Sequence, residues 1–482
     1  MAGSAKHTAK APHKKRRRKR APAVSAMIAL SLIVACIIYV CVRYNRGDEL
    51  DTEGAYLHPE QSASEQQTAT ITTDELNSIQ AQLPVEYENP PPPVQALVNV
   101  RGMYVDEWSI AGEGRVDRYI DICDKSDMNA IVIDIKDDYG EITFSTNNEI
   151  LATISNGAIP NIERIVSRLK EHGIYTIARL VCFKDPLWSS MNTELAIQDM
   201  SGALWKDNGS ASWLNPYNKD SWEYIALIAK EAVRLGFNEI QLDYVRFPAD
   251  GNLADIDFGS AGNGKTKAEA IGEFLDYMES VLADTDAMLS ADVFGIIAVA
   301  AGDFEGIGQD LDIVLQNVDY VCPMIYPSHF ANEKENGVGQ RINDVLFKIP
   351  DKEPYEVVYN ILQMVKSRLP EGEGHAGIRP YLQAFTASYL GDGYYQTYSA
   401  QQVLEQIQAV YDAGFDEWIL WNQSGDLGVY ENVSSLISSE NSAGSSNGTP
   451  AVNNAWPYNN FTYFAAFSLS SANAFLRALN DG

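Results

Sequence analysis

From Val98 onward, short apolar runs alternate with segments whose apolar residues recur every three or four positions. Runs of this length, rich in Val, Ile and Tyr, predict strands at 100–105, 130–135, 174–181, 238–243, 288–294, 318–325, 378–385 and 416–421. The segments between them predict helices at about 115–127, 160–172, 219–236, 267–283, 309–316, 355–368 and 400–413. Several of these end on a glycine suited to a helix C-terminus, at His172-Gly173, Leu235-Gly236 and Ala413-Gly414. Eight strands separated by seven helices predict an α/β fold, a (β/α)8 TIM barrel, with a doubly wound sheet as the structural rival.

The chain before the barrel has a different texture. A basic run, KKRRRKR, precedes the uncharged stretch Ala26 to Val42. That stretch is long enough to cross a bilayer as a helix, and its positive flank places the following chain outside the cytoplasm. The expected organisation is a basic cytoplasmic segment at 1–23, a transmembrane anchor at 24–42 and a polar, Pro-rich linker at 43–96. The barrel follows at 97–435, and a low-complexity linker and tail at 436–482. Two rivals to the anchor are a cleaved signal peptide and a lipoprotein signal at Ile33-Val34-Ala35-Cys36.

Composition narrows the function. With 45% hydrophobic and 21% charged residues, the chain is neither wholly disordered nor polytopic. Eleven of the 36 Lys and Arg precede Asp48, leaving 25 against all 65 Asp and Glu. A body that acidic repels phosphate backbones, so nucleic acid is not an expected partner. The cysteines, at 36, 41, 123, 182 and 322, form no CxxC pair. His172, His329 and His375 form no metal-binding pair, and neither a Walker loop nor a GxSxG elbow occurs. Carboxylates and aromatics remain, a combination that points to sugars.

In a barrel, reactive groups stand at the C-terminal ends of the strands. Side-chain alternation puts Gln241 and Asp243 on the inner face of strand four, and Asp292 with Ser290 on that of strand five. Asp134 shares a face with Val132, opposite Ile131, Ile133 and Ile135. Neighbouring strands lie about 4.8 Å apart. Asp243 and Asp292 can therefore approach the roughly 5–5.5 Å that suits a nucleophile and an acid/base in a retaining glycosidase. A nearby cation, Arg246 or Lys136, would hold the nucleophile ionised, and a drier site would keep the acid protonated. Trp108, Tyr139, Trp188, Tyr326 and Trp421 offer flat faces for sugar rings. Asp185 and Asp303 read more readily as turn or cap residues, and Asp137 and Asp138 fit a solvated loop as well as a site.

The segments VRGMYVDEW (100–108), MNAIVIDIKDDYGEITF (128–144), GIYTIARLVCFKDP (173–186), GFNEIQLDYVRFPADG (236–251), SADVFG (290–295), VDYVCPMIYPSHF (318–330) and GFDEWILWN (414–422) resemble those of a bacterial family. Its members are extracytoplasmic proteins described as a glycosyl hydrolase domain of unknown function. More distantly, Gly236 to Asp243 is similar to the strand-four motif of α-amylase-like enzymes, where the final Asp is the nucleophile. Gln241 stands where those enzymes have Arg, and Asp292 where they usually have Glu.

The resulting expectation is a membrane-anchored extracellular glycoside hydrolase acting on a polysaccharide or oligosaccharide. Asp243 is the expected nucleophile and Asp292 the acid/base. Asp134, Lys136, Asp137, Arg179, Arg246, Tyr326, Gln383 and Trp421 are expected to hold the sugar. No metal or organic cofactor is needed for this chemistry. The rival of another class is a catalytically silent barrel that binds glycan at the cell surface. A hydrolase for another bond, run by the same acidic mouth, is a third possibility.

Overall fold

The computed structural model describes residues 99–443, apart from 113, 263, 301, 304, 305, 371, 373, 374 and 426. The proposed anchor at 24–42, its flanks and the terminal tail lie outside the described residues. Among the described residues, no helix is long and apolar enough to cross a membrane.

Eight barrel strands run in chain order: β1 Arg101–Val105, β2 Ala130–Lys136, β3 Tyr175–Val181, β4 Glu239–Asp243, β5 Met288–Phe294, β6 Tyr320–Met324, β7 Tyr381–Gln383 and β8 Trp418–Trp421. Each pairs in parallel with its sequence neighbours, and β8 pairs with β1. The ring closes, which excludes the doubly wound alternative. The main helices packed outside it are α1 Arg115–Asp124, α2 Ile162–Glu171, α3 Lys219–Arg234, α4 Lys267–Leu282, α5 Leu311–Val314, α6 Pro354–Arg368, α7 Ala400–Ala413 and α8 Leu427–Ala443. The helix predicted at 309–316 contracts to the single turn of α5. Helix α8 continues past 435, the expected end of the barrel, with Tyr430 and Val433 buried.

The strand faces sort as the alternation predicts. Ile131, Ile133, Ile135, Ile240, Leu242, Leu289, Ala291 and Val293 join the core between sheet and helices. A second, smaller cluster, with Ala130, Val132, Ile177, Cys322, Tyr326, Tyr381 and Ile419, lies inside the ring.

Polar groups interleave with that inner cluster. Low in the barrel, the Arg379 guanidinium donates to Glu239 at 2.7 and 2.8 Å and to Glu417 at 2.7 Å. One step up, Tyr381 donates to Gln241 Oε1 at 2.5 Å, and Gln241 donates to Cys322 Sγ at 3.4 Å. Buried charge is costly unless paired and hydrogen-bonded. The lower barrel meets that condition and forms a closed base for the open mouth above.

Candidate active site

At the mouth, Arg179 from β3 gathers three carboxylates. Its Nε and Nη2 donate to Asp243 Oδ2 at 2.9 and 2.5 Å, its Nη1 donates to Asp134 Oδ1 at 2.7 Å, and Nη2 reaches Asp138 Oδ1 at 3.1 Å. Tyr104 from β1 donates to the other oxygen of Asp134 at 2.5 Å. Tyr104 also stacks on Trp421 with ring centroids 3.9 Å apart, and the guanidinium lies 5.2 Å from the Trp421 ring. Planar donors in a fixed fork suit Arg to this shared role better than Lys.

Asp243 ends β4, and the chain then turns sharply. Tyr244 takes φ +49°, a left-handed conformation uncommon for a residue with a side chain. The turn lets the Tyr244 amide donate back to Asp243 Oδ1 at 2.6 Å and carries the Tyr244 hydroxyl to Asp138 Oδ2 at 3.0 Å. Lys184 completes the group, 3.4 Å from the same Asp138 oxygen. Burial pushes the Asp138 carboxyl upward, but Arg179 and then Lys184 outweigh it and hold the group below its ordinary range.

Asp292 on β5 has the opposite surroundings. The register pairs Leu242 with Ala291, so Asp243 and Asp292 are the next residues along two adjacent strands. Asp292 is only 1% exposed, and its Oδ1 has no hydrogen-bond partner. Burial, and next the charge of Asp243, hold its carboxyl well above the usual carboxylate range. Gln309 anchors the strand end, donating to the Asp292 carbonyl at 3.2 Å and accepting from Phe294 N at 3.0 Å. Just beyond, Gly295 runs so close to β6 that a Cβ there would stand 2.5 Å from the Met324 carbonyl oxygen. Any other residue would push β5 and β6 apart at the mouth.

Above these groups opens a cleft of about 1540 Å³, lined by residues that include Asp138, Arg179, Asp243, Tyr244, Arg246 and Trp421. Tyr326, His329, Phe385 and Tyr389 also line it. Its size and mixture of rings with a few polar groups suit a sugar chain. Among the described residues, no three His, Cys, Asp or Glu side chains are arranged to hold a metal ion.

Residues 102–426 match the family model described as "putative glycosyl hydrolase domain". The chain belongs to this family. Among solved structures, it is similar to a hypothetical protein from Ruminiclostridium thermocellum at 39% identity, over 40% of this chain and 97% of that one, with a TM-score of 0.37. It is also similar to the PgaB (BpsB) glycoside hydrolase domain of Bordetella bronchiseptica, at 14% identity over 68% and 95% of the two chains, TM-score 0.49. The spore cortex-lytic enzyme SleL of Bacillus megaterium matches at 12% identity over 72% and 75%, TM-score 0.41. No curated protein matches.

Within this glycosyl hydrolase domain, Asp134, Arg179, Asp243, Arg246, Tyr326 and Trp421 come together at the mouth. Three expected sugar-binding residues do not. Lys136 is fully buried, because the β2–β3 register shifts between Asp134 and Lys136 and turns the side chain out of the barrel. There it pairs with Asp185 at 2.9 Å and donates to the Val181 carbonyl at 2.7 Å. Asp137 folds back on its own loop, accepting from the amides of Tyr139 and Glu141 at 2.9 and 2.8 Å, and its neighbour Asp138 takes the place in the cleft. Gln383 is enclosed, bonded to Ser328 N at 3.0 Å and to Asp351 at 2.9 Å.

Three aromatics are also relocated. Trp188 stacks on Tyr224 in the core, and Trp108 and Tyr139 are exposed but are not among the residues lining the cleft. The sequence reading missed Tyr104, Lys184 and Tyr244 as site members. Their one signal was position, at or just past a strand end. Arg179 pairs with Gln241 in register and reaches up to Asp243.

Proposed function

We propose that this protein is a retaining glycoside hydrolase, tethered outside the cell by the apolar segment at 24–42 and acting on a polysaccharide. Asp243 is the nucleophile and Asp292 the acid/base. The observation that supports this most is the contrast between two adjacent carboxyls. One is gripped by a guanidinium, and the other is buried with an unpartnered oxygen. Environments that push two neighbouring carboxyls apart are how glycosidases divide the nucleophilic and acidic roles.

The reaction runs as two displacements at the anomeric carbon. Asp243 attacks the anomeric carbon as the protonated Asp292 gives its proton to the departing glycosidic oxygen. Asp292, now ionised, takes a proton from water, which displaces Asp243 and frees the sugar. Trp421 and Tyr326 would stack on sugar faces, and Asp138 and Asp134 would orient hydroxyl groups. A fluorosugar inhibitor panel tests the assignment. A glycosyl adduct on the Asp243 peptide supports it, and an adduct on a different carboxylate refutes it.

A second reading has its own observation. Asp292 is 1% exposed and is not among the residues lining the cleft. A general acid must reach the bond it protonates. This favours a barrel that binds glycan without cleaving it, and such a protein would bind polysaccharide with no turnover.

A further inference from the structure

The inference concerns what the bound glycan carries, and it rests on the reading of the cleft as a glycan site. After Asp243 the chain continues Tyr244-Val245-Arg246-Phe247-Pro248. Val245 and Phe247 are buried and tied to the loop before α5: Phe247 N donates to the Ile307 carbonyl at 2.7 Å, and Gln309 donates to the Val245 carbonyl at 3.5 Å. The residue between two such anchors lines the cleft instead.

Arg246 is 8% exposed, with its guanidinium carbon 5.0 Å from the Trp213 ring, 5.0 Å from Tyr244 and 4.5 Å from Phe294. Its Nη1 donates to the Phe247 carbonyl at 2.9 Å. Among the described residues, no carboxylate lies within ion-pairing distance of it. The other buried guanidiniums differ: Arg179 meets three carboxylates and Arg379 two. Lys184 has Asp138, and Lys334, which also lines the cleft, is exposed and donates to the Leu390 carbonyl at 2.8 Å.

A guanidinium presents five N–H donors and is always charged. Packing it among rings returns part of its lost hydration but gives it no ion-paired partner, since the carboxylates that act on it, Asp243, Asp250 and Asp207, lie beyond ion-pairing distance. We propose that the missing partner arrives with the substrate, as the carboxylate of an acidic sugar. Beyond the donor spent on the Phe247 carbonyl the guanidinium keeps further N–H groups, and a planar two-oxygen group fits such a fork best. The glycan would therefore be a carboxylated one, placed by Arg246 beside Asp243.

Calorimetric titration of the intact protein with oligogalacturonates and glucuronate-containing oligosaccharides tests this, each compared with its carboxyl-reduced counterpart. At least one acid form should bind about tenfold or more tighter than its reduced partner, as a charge-assisted pair implies. Arg246→Gln should abolish that preference, and Arg246→Lys should restore part of it. Equal affinity for both forms, no binding of any acid form, or a preference that survives Arg246→Gln overturns the proposal. If Arg246→Gln fails to fold, the matched ligands on the wild type still decide. The readout is binding, so failure of the hydrolase reading shows separately, as absent turnover.

Discussion

Arg179 and Asp243 share two hydrogen bonds to one carboxylate oxygen, at 2.9 and 2.5 Å, across adjacent strands of the barrel. The same guanidinium also serves Asp134 and Asp138, so one cation organises three acids at the mouth.

Replacing Arg179 by Met should therefore destabilise the fold by about 3–5 kcal/mol, the usual cost of stranding buried charge. The sign of its pH dependence follows from Asp138. Arg179 helps hold that folded carboxyl below its unfolded value, so the stabilisation is present above the ordinary carboxylate range and is lost as pH falls through the folded value. Urea unfolding at pH 7 and at pH 2, below the ordinary carboxylate range, should show the larger deficit at pH 7. An equal deficit at both would contradict the shared-cation account.

Asp292 predicts the opposite trend. Its folded carboxyl is raised by burial and by Asp243, so its stabilising contribution is complete below the unfolded value, near pH 4. That contribution declines as pH rises toward the folded value. Asp292→Asn should leave stability near pH 4 almost unchanged and make the protein more stable than wild type at pH 8. A variant less stable at pH 8 would show that Asp292 is a structural residue.

Lys136 and Asp185 form a buried pair outside the barrel interior. Lys136→Met alone should cost about 3–5 kcal/mol by leaving Asp185 uncompensated, and a double replacement with apolar residues should recover most of it. Glycan affinity of the folded fraction should not move. A selective loss of affinity without loss of stability would return Lys136 to the site.

Glu107 follows β1, and burial, then the charge of Asp134, push its carboxyl up to about 7. Its contribution to stability is present below about pH 4.5 and falls as pH rises to about 7. Glu107→Gln should flatten that part of the stability profile. An unchanged profile would place Glu107 in water.

Much of this was legible in the chain. Apolar runs located all eight strands, and two-residue alternation placed Asp134, Asp243 and Asp292 inside the ring. What alternation could not give was the irregularity before Lys136, which breaks the period and reverses the side chain. It could not show that Gln383 spends its amide on Ser328 and Asp351, contacts that depend on loops far away in sequence. The exchange of Asp137 for Asp138 turns on one tight loop, where a shift of a single residue decides which carboxylate meets Arg179. The seventh strand is interrupted, with Gly377–Ile378 and Tyr381–Gln383 as separate segments around Arg379-Pro380, because proline lacks the donor a ladder needs.

The most direct test of the paired-carboxylate account compares Asp292→Asn and Asp243→Asn on glycosides with strong and weak leaving groups. An acid is dispensable when the leaving group is an activated dinitrophenolate. Asp292→Asn should therefore retain cleavage of such substrates while losing unactivated oligosaccharides, and Asp243→Asn should lose both. Glycan binding by the wild type with no turnover of either class would contradict the account.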